Sequence, residues 1–405
     1  MHNTRKLTDE LTYIGASDRR LDIFEGVYEL PRGMSYNSYF LDCGATVVFD
    51  TADKAVEKVF FENIDYCLGG RKLDYVVVHH MEPDHSATLK TMLDRYPDAR
   101  VVCNAKIAQI IGQFFPGTDV TDRAVIVKDG DSVKLGTHEF KFVFAPMVHW
   151  PEVMMSFDTE TGTLFSADAF GSYGAVDGSI FADGHDFETE LKEEARRYYT
   201  NIVGKYGMQT TAALKKAGAL DIKMICPLHS YVWRKDFDKI INAYAGWASY
   251  THEKKGVLIV QGSIYGNTAN ACEILASELD LRGIESVICD ASVVSPSHFI
   301  SLAFKYSHIV VASPTYNMGI YSPVEHVVNE LASHGLKNRG FAVIENGSWA
   351  PAAGKLITEK LSGMAGFKAI AEAPVTVKSA VGDETRKAIE QLADLFAADM
   401  AVSRS

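Results

Sequence analysis

The stretch Tyr75-Val76-Val77-Val78-His79-His80-Met81-Glu82-Pro83-Asp84-His85-Ser86 joins an apolar, β-branched run to a loop crowded with histidine and carboxylate. Residues 75–78 predict a buried strand, and residues 87–96 predict a helix. The loop between them therefore sits at the C-terminal end of a strand, where α/β sheets place their ligands. His80, Glu82, Asp84 and His85 read H-x-E-x-D-H. A single histidine in such a loop is most often an ordinary packed or surface residue. Two histidines interleaved with two carboxylates point to a metal, because burying those charges without a cation is costly.

The same placement recurs downstream. His149 follows the β run 140–144, Asp168 follows 163–165 and His229 follows 223–226, each in the first loop residues after an apolar strand. Upstream, β runs at 21–28, 37–41 and 46–49 are separated by the turn signals Pro31-Arg32-Gly33 and Cys43-Gly44, which predict hairpins. Strands at 100–103 and 153–157, a helix at 107–115 and a polar, helix-biased stretch at 187–216 complete a mixture of hairpins and βα units. That mixture predicts an α/β sandwich.

A helix over 236–250 ends in Thr251-His252-Glu253-Lys254-Lys255, read as a solvated linker. From Gly256 the pattern becomes strict alternation, with strands at 257–260, 286–289, 308–312, 341–344 and 375–377 and a last helix at 385–398. Five βα units at this spacing predict a parallel, doubly wound sheet. The expected domains are residues 1–250 and 256–405.

Three loops of the second half carry a phosphate and ring signature. After its first strand comes Gln261-Gly262-Ser263-Ile264-Tyr265-Gly266-Asn267-Thr268, then an alanine-rich helix. Hydroxyls of Ser263, Tyr265 and Thr268, with backbone N–H groups at a helix N-terminus, make a phosphate cradle. The loop has no Lys or Arg and no G-K-[ST], so it is not a P-loop. Ser313-Pro314-Thr315-Tyr316-Asn317-Met318-Gly319 follows the third strand and Asn346-Gly347-Ser348-Trp349 the fourth. Both lie near the expected switch point of the sheet, and Tyr316 and Trp349 offer walls for a flat heteroaromatic ring. No G-x-G-x-x-G follows a strand, which favours FMN over NAD.

Bulk properties remove other classes. A net charge of −12 argues against nucleic acid as a partner. The six cysteines (Cys43, Cys67, Cys103, Cys226, Cys272, Cys289) contain no C-x-x-C pair, which excludes a zinc ribbon and a cysteine-ligated iron–sulfur cluster. Residues 1–10 show no signal-peptide pattern, and no apolar run spans a bilayer. The expected compartment is the cytoplasm, with no membrane attachment.

The first half resembles the metallo-β-lactamase-like fold, whose dinuclear site uses H-x-H-x-D-H plus a later His, Asp and His. This chain carries Glu82 where the hydrolases have histidine. Exchanging imidazole for carboxylate makes the site harder and moves its preference from zinc towards iron. In that respect it resembles the flavodiiron proteins, which have H-x-E-x-D-H, and the loop after residue 261 is similar to the flavodoxin phosphate signature. The resemblance covers essentially the whole chain. It implies an N-terminal metallo-β-lactamase-like αβ/βα sandwich followed by a flavodoxin-like sheet. It also implies that His80, Glu82 and His149 ligate one iron, that Asp84, His85 and His229 ligate the other, and that Asp168 bridges them. FMN would occupy Ser263, Ile264, Tyr265, Gly266, Asn267, Thr268, Ser313, Pro314, Thr315, Tyr316, Asn317, Gly319, Asn346, Gly347, Ser348 and Trp349.

The implied activity is reduction of dioxygen to water, of nitric oxide to nitrous oxide, or of both. Electrons would come through FMN from an external donor such as rubredoxin or a reduced deazaflavin, since no rubredoxin module is appended before Ser405. A head-to-tail homodimer, or a dimer of such dimers, would bring each FMN to the partner's irons. Two alternatives stay open on sequence: a dinuclear zinc hydrolase fused to a flavodoxin domain, and an FMN electron carrier with an inactive metal domain. His79 is expected to pack or to support a ligand, Glu152 to orient a ligand histidine, and Trp150 to line the substrate pocket or to wedge into the core.

Overall fold

The computed structural model describes residues 2–402. The chain divides into two compact units, Met1–Ala245 and Gly246–Ser405, the boundary falling within the helix Asp238–Ala248.

The first unit is built on two sheets. One orders its strands Arg5–Lys6, Leu11–Tyr13, Tyr39–Asp42, Thr46–Phe49, Tyr75–Val77, Arg100–Asn104 and Ala124–Val127. The other orders Ser132–Leu135, His138–Phe144, Met154–Asp158, Thr163–Phe165 and Met224–Cys226. Their inner faces meet through aromatic rings. Phe49 of the first stacks on Phe165 of the second with centroids 3.8 Å apart, and Phe140 packs 5.4 Å from Phe49. Both rings of the stacked pair are buried, so they gain the full hydrophobic payload of aromatic burial.

Register explains why distant ligands meet. Strands Thr163–Phe165 and Met224–Cys226 pair in parallel with Phe165 opposite Cys226. Three residues beyond each of these come Asp168 and His229, side by side at the same edge. In the other sheet Val77 ends its strand opposite Phe49, and His80 again follows three residues later.

Some expectations need correcting. The run 21–28 is not one strand but a tight hairpin of Ile23–Phe24 and Tyr28–Glu29. The helix after the histidine motif is split into Pro83–Ser86 and Leu89–Arg95. The polar stretch 187–216 is helical, as its bias suggests, and within it Arg196, Arg197, Tyr198 and Tyr199 are buried. Arg197 is accommodated by an ion pair with Glu194 and by the face of Tyr173, 4.5 Å away. Lys254 and Lys255 are not a linker but open the strand Lys254–Gln261, with Lys254 paired to Glu285.

The second unit is a parallel sheet ordered Ser286–Asp290, Lys254–Gln261, Tyr306–Tyr316, Gly340–Asn346, then Lys368–Ala369 and Val375–Val377 on the last edge. In sequence order this is 2-1-3-4-5, the flavodoxin arrangement, whose switch point lies between strands one and three. Its central strands, Lys254–Gln261, Tyr306–Tyr316 and Gly340–Asn346, are buried over most of their length, as the continuous Val/Ile runs require. Among the described residues no helix is long and apolar enough to cross a membrane.

Candidate metal centre and flavin cleft

The loop after Tyr75–Val77 turns into a single helical turn, Pro83–Ser86, with proline at its first position, where the missing N–H costs nothing. Glu82 stands just before that turn, and Asp84 and His85 stand within it. The geometry sends them to two different places. His80, Glu82, His149 and Asp168 bring one ligand atom each within 4.8 Å of one another, and so, separately, do Asp84, His85 and His229. All seven residues fall in these two groups, with Asp168, expected as a bridge, counted in the first.

Asp168 lies between the groups. Its Oδ2 faces His149 Nε2 at 3.3 Å and His80 Nε2 at 3.5 Å. Its Oδ1 faces His85 Nε2 at 3.1 Å and His229 Nε2 at 3.8 Å. Glu82 Oε2 is 2.9 Å from His149 Nε2, while Asp84 Oδ2 is 3.2 Å from both His85 and His229 Nε2. Yet both oxygens of Asp84 and both of Asp168 are buried without a hydrogen bond. Buried carboxylates are rarely left so, and a cation at each focus would satisfy them. The donor set, imidazole and carboxylate with no thiolate, suits iron.

Electrostatics agree with this reading. Burial opposes the His149 imidazolium, but the facing carboxylates of Asp168 and Glu82 outweigh it and raise its pKa to about 9. Burial likewise works against the Glu82 carboxylate, yet hydrogen bonds from His149 and His80 hold it well below the usual range. The cluster thus holds excess negative charge that draws in protons, or the metal ions that displace them.

A surrounding layer fixes the imidazoles. His80 Nδ1 donates to Glu152 at 2.8 Å, and the Met81 N–H donates to the same oxygen. His229 Nδ1 donates to the Ser35 carbonyl at 2.7 Å. Each bond leaves Nε2 with its lone pair towards the centre. His79 cannot be a ligand, because its two ring nitrogens are taken by Asp50 and by Ser156. Trp150 packs edge-on to His80 at 5.2 Å and stacks on Phe114. Asp50, Ser35 and Tyr198, whose ring lies 5.5 Å from that of His229, carry no motif. Backbone strain marks the site too: Asp50, Met147, Ala167, Phe170 and Ser230 all have φ between 52° and 69° or close to it, though none is glycine.

The second unit has a cleft of about 420 Å³ at the expected switch point, within the range of cofactor sites. Ser263, Ile264, Tyr265, Asn267, Thr268, Pro314, Thr315, Asn317, Asn346, Gly347, Ser348 and Trp349 line it, as expected. Four residues differ. Gly266 shapes the loop from below: it precedes helix Asn267–Leu281 with φ +90°, and its N–H donates to Ser263 Oγ. Ser313 is turned away, donating to the Pro314 carbonyl and accepting from the Tyr321 N–H. Tyr316 and Gly319 lie on the adjoining hairpin, outside the lining.

Met318 and Ser379 join the cleft unforeseen. Ser379 follows the fifth strand, bonds Ser348 Oγ at 2.6 Å and braces Asn346 through backbone bonds in both directions. The loop after that strand was the signal available. Neutral hydroxyls and amides, a helix N-terminus and an exposed indole (Trp349, 80 % exposed) fit a phosphate ester carrying a flat ring.

Residues 34–230 match the family model described as ODP family beta lactamase. A nitric oxide reductase of Moorella thermoacetica is 30% identical over 375 residues, covering 92% of each chain. The structure superimposes on the rubredoxin oxygen:oxidoreductase of Desulfovibrio gigas with a TM-score of 0.93 and 25% identity over the whole of both chains. It also superimposes on the flavodiiron protein of Giardia intestinalis, with a TM-score of 0.91 and 25% identity over 98% of each. The chain belongs to the flavodiiron protein family.

Proposed function

We propose that this chain is a flavodiiron oxidoreductase that reduces dioxygen to water, nitric oxide to nitrous oxide, or both. The observation that carries the reading is the division of Asp168, one carboxylate oxygen towards each of two buried ligand groups. His80, Glu82 and His149 would hold one iron, and Asp84, His85 and His229 the other. Bound FMN and iron would supply the electron storage and the redox-active metal that reduction of either gas requires.

The protein's own contribution is placement and electrostatics. Asp168, with one oxygen towards each ligand group, would be held in common by the two metals. Glu152 and the Ser35 carbonyl hold His80 and His229 in the tautomer that ligates. Glu82, in place of the hydrolases' imidazole, adds a hard anionic donor that favours iron over zinc. In residues 256–405, Ser263, Asn267 and Thr268 with the helix N-terminus would hold the phosphate of FMN, and Trp349 would offer its ring a wall.

The cleft stays open on one side, with Tyr265 92 % and Met318 65 % exposed. An apolar rim of this kind suits cover by a second copy, so a head-to-tail homodimer is part of the proposal. So are a cytoplasmic setting and a donor such as rubredoxin, which the Desulfovibrio relative's name contains. The test is anaerobic: the fully reduced protein is mixed with either gas while flavin absorbance is followed. Fast reoxidation by at least one gas is expected. Two zincs, hydrolase activity and an indifferent flavin would overturn the reading.

A further inference from the structure

A small cavity lies inside the first unit, walled by Val148, Met155, Ala169, Phe170, Ala213 and Tyr244 among others. The space open to the centre of a water-sized sphere is about 10 Å³. That is close to the minimum that admits one water, ~10–15 Å³. Water would find no partner there, because the walls present no polar surface. Thr210 reaches the wall but spends its hydroxyl on the Tyr206 carbonyl at 3.0 Å. Tyr244 likewise directs its hydroxyl to the Gly171 carbonyl at 3.4 Å. A void of this kind stays dry and takes up small apolar molecules instead.

Its position is the second observation. Val148 is bonded in sequence to His149, and Ala169 to Asp168, so two wall residues adjoin two ligand residues. The turn Asp168-Ala169-Phe170-Gly171 is closed by the Gly171 N–H donating to the Asp168 carbonyl. A Cβ on Gly171 would stand 3.4 Å from that of His229 and 3.3 Å from the Tyr198 ring. One turn therefore presents Asp168 to the metal centre and Ala169 and Phe170 to the cavity.

We propose that this cavity is a docking site for an apolar diatomic gas beside the metal centre. The inference rests on the gas-reduction reading above. An apolar pocket raises the local concentration of dioxygen or nitric oxide while offering water and ions no polar partner. Ala213, on the helix Gly207–Ala217, faces the cavity without adjoining a ligand residue, so enlarging it fills the space from the far side.

The experiment pairs xenon-pressurised crystals of the holoprotein with steady-state gas kinetics of the wild type and Ala213→Leu. Ala217→Leu, one turn further along the same wall, serves if the first variant does not fold. One xenon atom is expected in the wild-type cavity and none in the filled variant. The variant's KM for the gas should rise several-fold, with kcat at saturating gas and the iron and FMN contents unchanged. No xenon in the wild-type cavity overturns the proposal, and so does an unchanged gas KM in a variant that excludes xenon. The flavodiiron reading fails on different data: neither gas reoxidising a protein loaded with iron and FMN.

Discussion

The metal centre and the flavin cleft are both built on loops that follow apolar strands, yet they solve opposite problems. The metal centre is closed and charged. His80, His85, His229 and Asp168 are almost wholly buried, and their positions are fixed by Glu152, Ser35 and the aromatic walls around them. The flavin cleft is open and nearly neutral, lined by hydroxyls, amides and exposed rings. A site that must hold ions in a dry interior has to be assembled before the ions arrive, since stray charges there are prohibitive. One that must exchange electrons with a partner has to keep a face in solvent. The contrast predicts that the two sites can be damaged independently.

The largest effect should follow Asp168→Ala, which removes the carboxylate that faces both ligand groups. Iron content should collapse and gas turnover fall by more than the ~10–100-fold typical of second-layer changes. FMN content should be unchanged. Metal analysis and flavin absorbance on one sample check both halves, and loss of FMN alongside iron would break the independence.

Glu152→Gln should be milder. It keeps the shape but loses the charge that orients His80, so iron affinity or turnover should drop by about 10–100-fold with the ligands intact. Iron titration against a chelator reads this directly.

In the other site Gly266→Ala isolates backbone strain. Nothing lies within 4 Å of the added Cβ, but φ of +90° disfavours any side chain. A cost of roughly 1–2 kcal/mol corresponds to about tenfold weaker FMN binding, measured by flavin fluorescence. Iron should stay at the wild-type level.

The smallest expected effect is a pH dependence confined to the second unit. Burial lowers the pKa of His308 below its usual 6.5, despite the neighbouring Asp399. The unfolded chain then binds more protons than the folded one below about pH 6.5, so stability falls as pH drops from there. Asp399, held low first by its bond to Lys368, extends the loss to lower pH. The temperature at which FMN is released should therefore decrease from pH 7 to pH 5.5. In His308→Gln the part of that slope due to the imidazole should vanish.

Most of both sites could be read from sequence because each ligand sits in the loop that follows an apolar strand. Strand runs and loop starts are what hydrophobic patterning reveals best. Partners that contribute through the backbone or from unremarkable positions left no such trace. Ser35 acts through its carbonyl, Asp50 through a bond to a histidine that only looks like a ligand, and Ser379 through a loop with no signature. Burial of the stretch 187–216 was equally hidden, since Arg197 reads as a surface residue until Glu194 and Tyr173 are seen around it. Lys254 and Lys255 misled for a related reason. A cross-strand acid, Glu285, lets a charged pair open a strand that composition assigns to a linker.

The central claim is that seven residues hold two irons around a shared Asp168. Metal and flavin stoichiometry with X-ray absorption at the iron edge tests it most directly. Two irons and one FMN per chain are expected, with nitrogen and oxygen ligands only and an iron–iron distance of ~3.5–4 Å. Two zincs, a single metal, or sulfur among the ligands would contradict it.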